Sequence, residues 1–91
     1  MTVCLIFDVP GGAQAQYEQV INEVNLGNQP PAGLISHVGG PSENGWCVVE
    51  VWESQEAFDR FFAAKLQQAL QRANVNAGQP RVIEVFNRVQ P

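Results

Sequence analysis

The stretch that decides the fold is residues 46–58, which read WCVVEVWESQEAF. Its first seven residues suit a β-strand. Successive side chains of a strand point to opposite faces, and here large apolar side chains occur on both faces. The two faces of that strand carry Trp46, Val48, Glu50 and Trp52 on one side and Cys47, Val49 and Val51 on the other. Ser54 then suits the N-cap of a helix, with Glu56 in the favourable first turn. The stretch therefore predicts a strand followed directly by a capped helix.

Two amphipathic helices are predicted on either side of this strand. The helix after Ser54 runs to about Asn74, and its apolar stripe is broad enough to lie on a sheet. That stripe contains Phe58, Phe61, Phe62, Leu66, Ala69, Leu70 and Ala73. An earlier helix is predicted from Ala13 to Val24, with Gly27 as its C-terminal cap. Its apolar residues have helical spacing and are Tyr17, Val20, Ile21 and Val24.

Three further strands complete the pattern. Val3–Phe7 is an apolar run ended by Asp8, Gly33–Gly39 is the second strand, and Val82–Val89 is the last. Residues 40–45 are predicted to form a hairpin loop, since Asn-Gly is a strong turn signal. The order βαββαβ predicts a single domain over residues 1–91 of the α+β class. Right-handed crossovers then give a ferredoxin-like fold: a four-stranded antiparallel sheet with both helices on one face.

The uncovered face of the sheet predicts a partner. Every strand carries apolar residues on both faces, and a whole apolar sheet face is not left in water. Only 15% of the residues are charged, below the usual quarter or so. A second copy related by a two-fold axis would cover this face. We therefore expect a homodimeric α/β barrel.

Charge and composition exclude several classes of partner. The net charge is −4 and the five basic residues are scattered, so neither nucleic acid nor an anionic membrane is expected to bind. No run of eighteen apolar residues or basic signal-peptide region is present, which predicts a cytoplasmic protein. Cys4 and Cys47 are expected at opposite ends of neighbouring strands, beyond disulfide reach, and lack metal-ligand spacing. No metal site is predicted.

Residues 50–58 carry a resemblance to a known family. A strand that ends in Glu-x-Trp, followed by a capped helix that opens with Glu-Ala-Phe, resembles the antibiotic-biosynthesis-monooxygenase-like branch of the dimeric α/β barrel superfamily. The segment GLISHV at 33–38 resembles the second strand of that branch. The resemblance implies a cofactor-independent monooxygenase-like enzyme that acts on a small aromatic or polyketide-like substrate. Relatives that degrade haem need a histidine where this chain has Phe61, so no haem or other cofactor is expected.

His37 and Glu50 are the candidate catalytic residues. His37 is the only histidine, and an imidazole can accept or donate a proton near neutral pH. Glu50 lies in an otherwise apolar strand, where a carboxylate is costly unless it is paired or works as a base. The alternatives are a structural hydrogen bond for His37 and an ion pair of Glu50 with Arg81 or Arg88. The predicted topology puts His37 at a sheet edge with Asp8, Trp46 and Arg81, roughly 13 Å from Glu50, so no dyad is expected.

Four aromatic residues are candidates for ligand binding: Trp46, Trp52, Tyr17 and Phe61. They could form a wall against a small, planar aromatic ligand, although packing in the core or a dimer interface is the simpler explanation of such residues. Three functions therefore stay open. The first is the monooxygenase-like enzyme, and the alternative to it is a non-catalytic homodimer that binds small molecules or serves in a stress response. The third is a purely structural interaction module.

Overall fold

The computed structural model describes all 91 residues, Met1–Pro91. Four strands and two helical segments follow one another in the predicted order βαββαβ. The strands are β1 (Val3–Pro10), β2 (Leu34–Ser42), β3 (Gly45–Trp52) and β4 (Arg81–Glu84). The first helix is α1 (Gln14–Val24); the second segment consists of α2 (Gln55–Phe61), a π-helical turn (Phe62–Leu66) and α3 (Gln67–Arg72). The α+β ferredoxin-like fold is confirmed.

The sheet is antiparallel throughout, with strand order β2-β3-β1-β4. Its two central strands present one face to the helices, because alternate residues of β1 are buried there: Val3, Leu5 and Phe7. These side chains belong to one cluster with buried residues of both helical segments, such as Val24 and Phe58. The core therefore lies between one face of the sheet and the helices.

An aromatic contact joins β3 to α2. Trp52 is fully buried, and its ring meets Phe58 edge-on with 5.5 Å between centroids. The helix begins where predicted, because Ser54 Oγ accepts a hydrogen bond of 3.1 Å from the Ala57 N–H. Gly33 has φ +93°, and a Cβ there would lie only 2.6 Å from Ala57 Cβ. This close approach brings the start of β2 against the first turn of α2.

The predicted strand boundaries were wrong at three places. β1 continues past Asp8 to Pro10, and β2 continues through its two glycines to Ser42, because both keep their pairing with β3. The hairpin turn is therefore only the two residues 43–44. By contrast, β4 ends at Glu84 rather than Val89.

The C-terminal cap predicted for α1 was also wrong. The capping residue is Asn25, with a left-handed φ of +57°, and not Gly27. Asparagine tolerates this conformation better than other non-glycine residues. Its N–H bonds the carbonyls of Asn22 and Ile21, which closes the last turn of the helix.

The face of the sheet away from the helices is apolar, as predicted. The strand register puts seven apolar or thiol side chains on it: Cys4, Ile6, Val38, Cys47, Val49, Val51 and Ile83. We call these seven residues the open face. Val38 is 63% exposed and Ile83 is 52% exposed. None of the helices has the length and apolar character needed to cross a bilayer.

The two cysteines are free, and the register separates them as predicted. Cys4 lies opposite Val51, whereas Cys47 lies opposite Asp8, four positions further along β1. Four positions correspond to roughly 13 Å of strand, which is beyond the reach of a disulfide.

Replacing Ser54 with alanine should lower the free energy of unfolding by about 1 kcal/mol, because the Ala57 N–H loses its capping acceptor. Urea denaturation followed by circular dichroism measures this change. Ser42→Ala is the matched control, since Ser42 is an exposed serine at the end of β2. Equal stability of the two variants would show that the Ser54 cap contributes nothing.

Candidate functional site

The hairpin of β2 and β3 places His37 directly opposite Glu50. His37 lies five residues before Ser42 and Glu50 lies five after Gly45, and Ser42 pairs with Gly45 across the turn. The two side chains share the face toward the helices, and His37 Nδ1 lies 2.6 Å from Glu50 Oε2. The expectation that these residues lie too far apart to form a dyad was therefore wrong. It failed because β2 was predicted to end at Gly39.

Tyr17 and Trp52 extend this pair into a chain of hydrogen bonds. The Tyr17 hydroxyl lies 2.6 Å from His37 Nε2, and the Trp52 Nε1–H donates to Glu50 Oε1 over 3.0 Å. The chain thus runs Tyr17–His37–Glu50–Trp52 and joins α1 to two strands. Tyr17 was predicted from helical spacing to face the core, but nothing local in the sequence linked it to His37.

The acceptor-only carboxylate of Glu50 fixes the direction of its hydrogen bond with His37. A carboxylate only accepts, so His37 donates its Nδ1–H to Glu50. In the neutral imidazole, Nε2 then carries the lone pair and accepts the Tyr17 O–H. Glu50 is only 5% exposed, and its two oxygens each receive one donor. The alternative of an ion pair between Glu50 and Arg81 or Arg88 is not what the structure shows, because His37 and Trp52 hold this carboxylate.

Tyr17 is kept as a neutral phenol. Burial, and then the negative charge of Glu50, raises the pKa of Tyr17 above its ordinary value of 10.0. The phenol therefore keeps its proton at neutral pH and can donate it to His37 Nε2. Because the folded-state pKa is raised, this group favours the folded state below pH 10 and loses that effect as the pH rises through the folded pKa.

A glycine makes room for Tyr17. Gly39 lies two residues after His37 on the same strand face, and the tyrosine ring rests against its backbone. A Cβ on Gly39 would come within 2.8 Å of the Tyr17 hydroxyl oxygen and 2.7 Å of its Cε1. We did not predict a role for this residue. The available signal was a glycine inside a strand, which often marks a close approach of another group.

The hydrogen-bond chain borders a cavity of about 90 Å³ between the sheet and the helices. Fifteen of its 19 lining residues are hydrophobic, so its polar groups are few. Five of the six predicted site residues line this cavity: Tyr17, His37, Trp46, Glu50 and Phe61. The sixth, Trp52, lies in the core behind Glu50 and holds it. The structure thus brings all six residues together.

The π-helical turn shapes the cavity wall. Phe61 and Leu66 both line the cavity although they are five residues apart. Such residues would point about 140° apart on a regular α-helix. The wider π-helical turn at Phe62–Leu66 reduces that divergence. Interruptions of this kind are frequent at functional sites.

Trp46 has an unusual environment in this wall. Its ring packs on Tyr17 with 5.1 Å between centroids, and its buried Nε1–H finds no acceptor among the protein atoms. The predicted edge cluster is only partly present. Arg81 and Asp8 do approach to 3.7 Å, but His37 lies two strands away from Asp8 and on the opposite face of the sheet. No group of three or more His, Cys, Asp or Glu is arranged to hold a metal.

Comparisons with known proteins support the fold. No family model and no curated protein matches the sequence, but several solved structures match nearly the whole chain. A protein from Chloroflexus aurantiacus, assigned as an antibiotic biosynthesis monooxygenase, gives a TM-score of 0.70 at 16% identity, with 99% of this chain and 98% of that chain covered.

Two Streptomyces proteins share the same architecture. SnoaB of Streptomyces nogalater, a cofactor-independent oxygenase, gives a TM-score of 0.65 at 17% identity over 99% of this chain and 96% of its own. ActVA-Orf6, a monooxygenase of Streptomyces coelicolor in complex with nanaomycin D, gives 0.56 at 22% over 99% and 91%. The resemblance inferred from residues 50–58 is thus confirmed as a resemblance of fold.

Gly39→Ala should displace Tyr17 and break its bond to His37, which lowers the pKa of Tyr17 toward 10. The ring would lose burial and move away from the Glu50 charge. Tyr17 is the only tyrosine, so the ultraviolet absorbance of tyrosinate measures its titration alone. Gly40→Ala is the control, because a Cβ at that position meets nothing within 4 Å. Identical titrations in both variants would contradict the role assigned to Gly39.

Proposed function

We propose that this chain is a cofactor-independent monooxygenase-like enzyme for a small aromatic or polyketide-like substrate. The observation that carries the proposal is the hydrogen-bond chain of Tyr17, His37 and Glu50 at the wall of an apolar cavity. The fold shared with SnoaB and ActVA-Orf6 supports the choice of reaction class. Because these two proteins have low sequence identity to this chain, the mechanism is argued from the residues of this chain alone.

The chain of hydrogen bonds can remove a proton from a hydroxyl of the substrate. The substrate O–H would give its proton to the Tyr17 oxygen while Tyr17 passes its own to His37 Nε2. The imidazolium that forms is stabilised by Glu50, as the carboxylate does in a Ser-His-Asp triad. Glu50 takes up no proton in this scheme, and the net change is one proton moved from the substrate to His37.

The deprotonated substrate is then the electron donor. An electron-rich phenolate or enolate can reduce dioxygen, which is the oxidant in this proposal. For a ring CH₂ group the balance is CH₂ plus O₂ giving C=O plus H₂O, so one oxygen atom enters the product and the other leaves as water. The proton held on His37 returns to the departing oxygen, and the site regains its initial protonation state.

The apolar wall serves this chemistry in two ways. It removes water that would compete for the hydrogen bonds of Tyr17, and those bonds are stronger in a low-dielectric surrounding. It also shields a reactive anion from protonation by solvent. The raised pKa of Tyr17 suits a proton relay, because the phenol keeps its proton at neutral pH and has it available to donate to His37.

The alternative is a small-molecule-binding homodimer without catalytic activity, including one that serves in a stress response. The same cavity and hydrogen bonds would then recognise a hydroxyl group rather than activate it. Binding of an aromatic ligand without any oxygen consumption distinguishes this alternative from the enzyme.

We also propose that two copies of this cytoplasmic protein associate through the open face. Burying Val38 and Ile83 would remove two large, more than half-exposed apolar side chains from water. The pairing of the open faces would complete a homodimeric α/β barrel. The cavity would be separate from that interface, because its lining residues lie on the helix side of the sheet.

Tyr17→Phe and His37→Ala should each slow turnover of hydroxynaphthoquinones or anthrones by about 10²- to 10⁴-fold, the range of general acid–base catalysis. Oxygen consumption measured with an oxygen electrode tests this, and the expected stoichiometry is one O₂ per product. Asn22→Ala, on the exposed side of α1, is the control. Full activity in the His37→Ala variant would refute the proton relay.

Val38→Glu should shift the protein from dimer to monomer, because it places a charge in the proposed interface. Sedimentation equilibrium should give twice the 10.0 kDa chain mass for the parent protein and a lower average for the variant. Ala15→Glu introduces the same side chain at an exposed position of α1 and should leave the mass unchanged. A folded, monomeric parent at micromolar concentration would contradict the dimer.

A further inference from the structure

We infer that Trp52 is a positioning residue for the proton relay. Its indole N–H occupies one oxygen of Glu50 and thereby sets the direction in which protons point along the chain of hydrogen bonds. This role rests on the proposed relay for its catalytic meaning and adds to it the group that orients it. Trp52 does not line the cavity, so it acts on the reaction only through Glu50 and His37.

The first support is the position of Trp52 beside Glu50. The two residues are two positions apart in β3, so their side chains share one face of the sheet. The Trp52 Nε1–H donates to Glu50 Oε1 over 3.0 Å, while His37 Nδ1 lies 2.6 Å from Oε2. Each oxygen of the carboxylate therefore has its own donor.

The second support is that the Trp52 indole can only donate, and its ring is held in place. An indole has one hydrogen-bond donor and no acceptor. Trp52 is fully buried, and its ring contacts two rings of α2, Phe58 at 5.5 Å and Phe61 at 5.6 Å between centroids. A buried donor is costly to leave without a partner. The atom opposite this N–H must therefore be an acceptor.

This requirement decides where a shared proton of the Glu50–His37 pair lies. A proton on Glu50 Oε1 would compete with the indole N–H for that oxygen. A proton on Oε2 meets the His37 Nδ1 atom instead, in line with the rest of the chain. Trp52 therefore favours an arrangement in which Glu50 Oε1 only accepts and the movable proton lies between Oε2 and Nδ1.

An amide in place of the carboxylate makes this effect measurable. Glu50→Gln keeps the shape of the side chain but has one acceptor oxygen and one donor nitrogen. Because the Trp52 N–H needs an acceptor, the amide oxygen should face it and the amide NH₂ should face His37 Nδ1. His37 must then accept at Nδ1 and carry its proton at Nε2. The half-buried Tyr17 hydroxyl then accepts from Nε2, so the whole chain is reversed.

The tautomer of His37 tests this reversal. His37 is the only histidine, and in a neutral imidazole the protonated nitrogen and the nitrogen with the lone pair have well separated ¹⁵N resonances. We expect the Nδ1–H tautomer in the parent protein and the Nε2–H tautomer in Glu50→Gln. The Nδ1–H tautomer in Glu50→Gln would overturn the inference, because the amide oxygen would then face His37 in spite of Trp52.

Two double variants separate the indole N–H from the packing of its ring. In Glu50→Gln with Trp52→Phe the amide is free to turn, and the Nδ1–H tautomer should return because the Tyr17 O–H regains its acceptor. Glu50→Gln with Phe58→Leu is the matched control, since it loosens the packing on Trp52 but keeps the N–H. This control should keep the Nε2–H tautomer. The same tautomer in both double variants would contradict the role of the N–H.

The indole resonance provides a test in the parent protein that does not depend on the folding of a variant. The chain has two tryptophans, so its ¹⁵N-correlated spectrum contains two indole signals. Protonation of His37 at low pH draws negative charge from Glu50 and weakens its bond to Trp52. The proton signal of the Trp52 indole should therefore move upfield together with the titration of His37. A Trp52 signal that stays in place through this titration would refute the coupling.

These outcomes are separate from those of the proposed function, because the spectra report the direction of the hydrogen bonds and not turnover. A reversed tautomer in Glu50→Gln with undiminished oxygen consumption would refute the proton relay but not the direction set by Trp52. Lost oxygen consumption with the Nδ1–H tautomer retained would refute only the role of Trp52.

Discussion

The structure depends on a buried carboxylate. Glu50 lies in the middle of β3 at 5% exposure, where an ionised group without partners would cost several kcal/mol. Two donors compensate for this cost, one from the neighbouring strand and one from Trp52 in the same strand. The position of His37 in turn fixes Tyr17 on α1. A single electrostatic requirement therefore links the sheet, the first helix and the cavity wall.

This arrangement joins stability to chemistry. Removing one partner of a buried charged pair is more damaging than removing both, because it leaves the other group uncompensated. Loss of His37 would thus affect folding as well as any proton transfer. The free energy of unfolding of a His37 variant must therefore be measured together with its reaction rate. Tyr17 is different, because it is a neutral phenol at the end of the chain. Its removal interrupts the relay while leaving the carboxylate with both of its donors.

The order of strands and helices could be predicted from the sequence because periodicity and capping are local. The stripe of α2 and the cap at Ser54 are examples, and both are present in the structure. The residues of the site were predicted, but their arrangement in space was not. Gly39 and Gly40 resemble a loop, so β2 seemed to end early and His37 seemed to lie at an edge. A two-residue turn would have placed His37 opposite Glu50 by counting from Ser42 and Gly45.

The contact of Tyr17 with His37 could not be predicted in this way, because it depends on how α1 crosses the sheet. Gly39 is the only residue in the sequence that indicates this contact. A glycine in a strand shows that another group approaches closely, but it does not show which group. The same limit applies to the Trp46 N–H. An indole on a strand face predicts burial, but whether its nitrogen finds a partner depends on side chains from other elements.

The proposed chemistry and the proposed association use opposite faces of the sheet. β1 carries Phe7 toward the cavity and Ile6 toward the open face. Every residue of the hydrogen-bond chain comes from one copy, so the proton relay needs no group from a partner. A second copy would instead restrain β1 and β3 from the face opposite the cavity. These two strands contribute residues to the cavity wall, and β3 carries Glu50. Association would therefore act on the site through the rigidity of the sheet, without contributing a functional side chain.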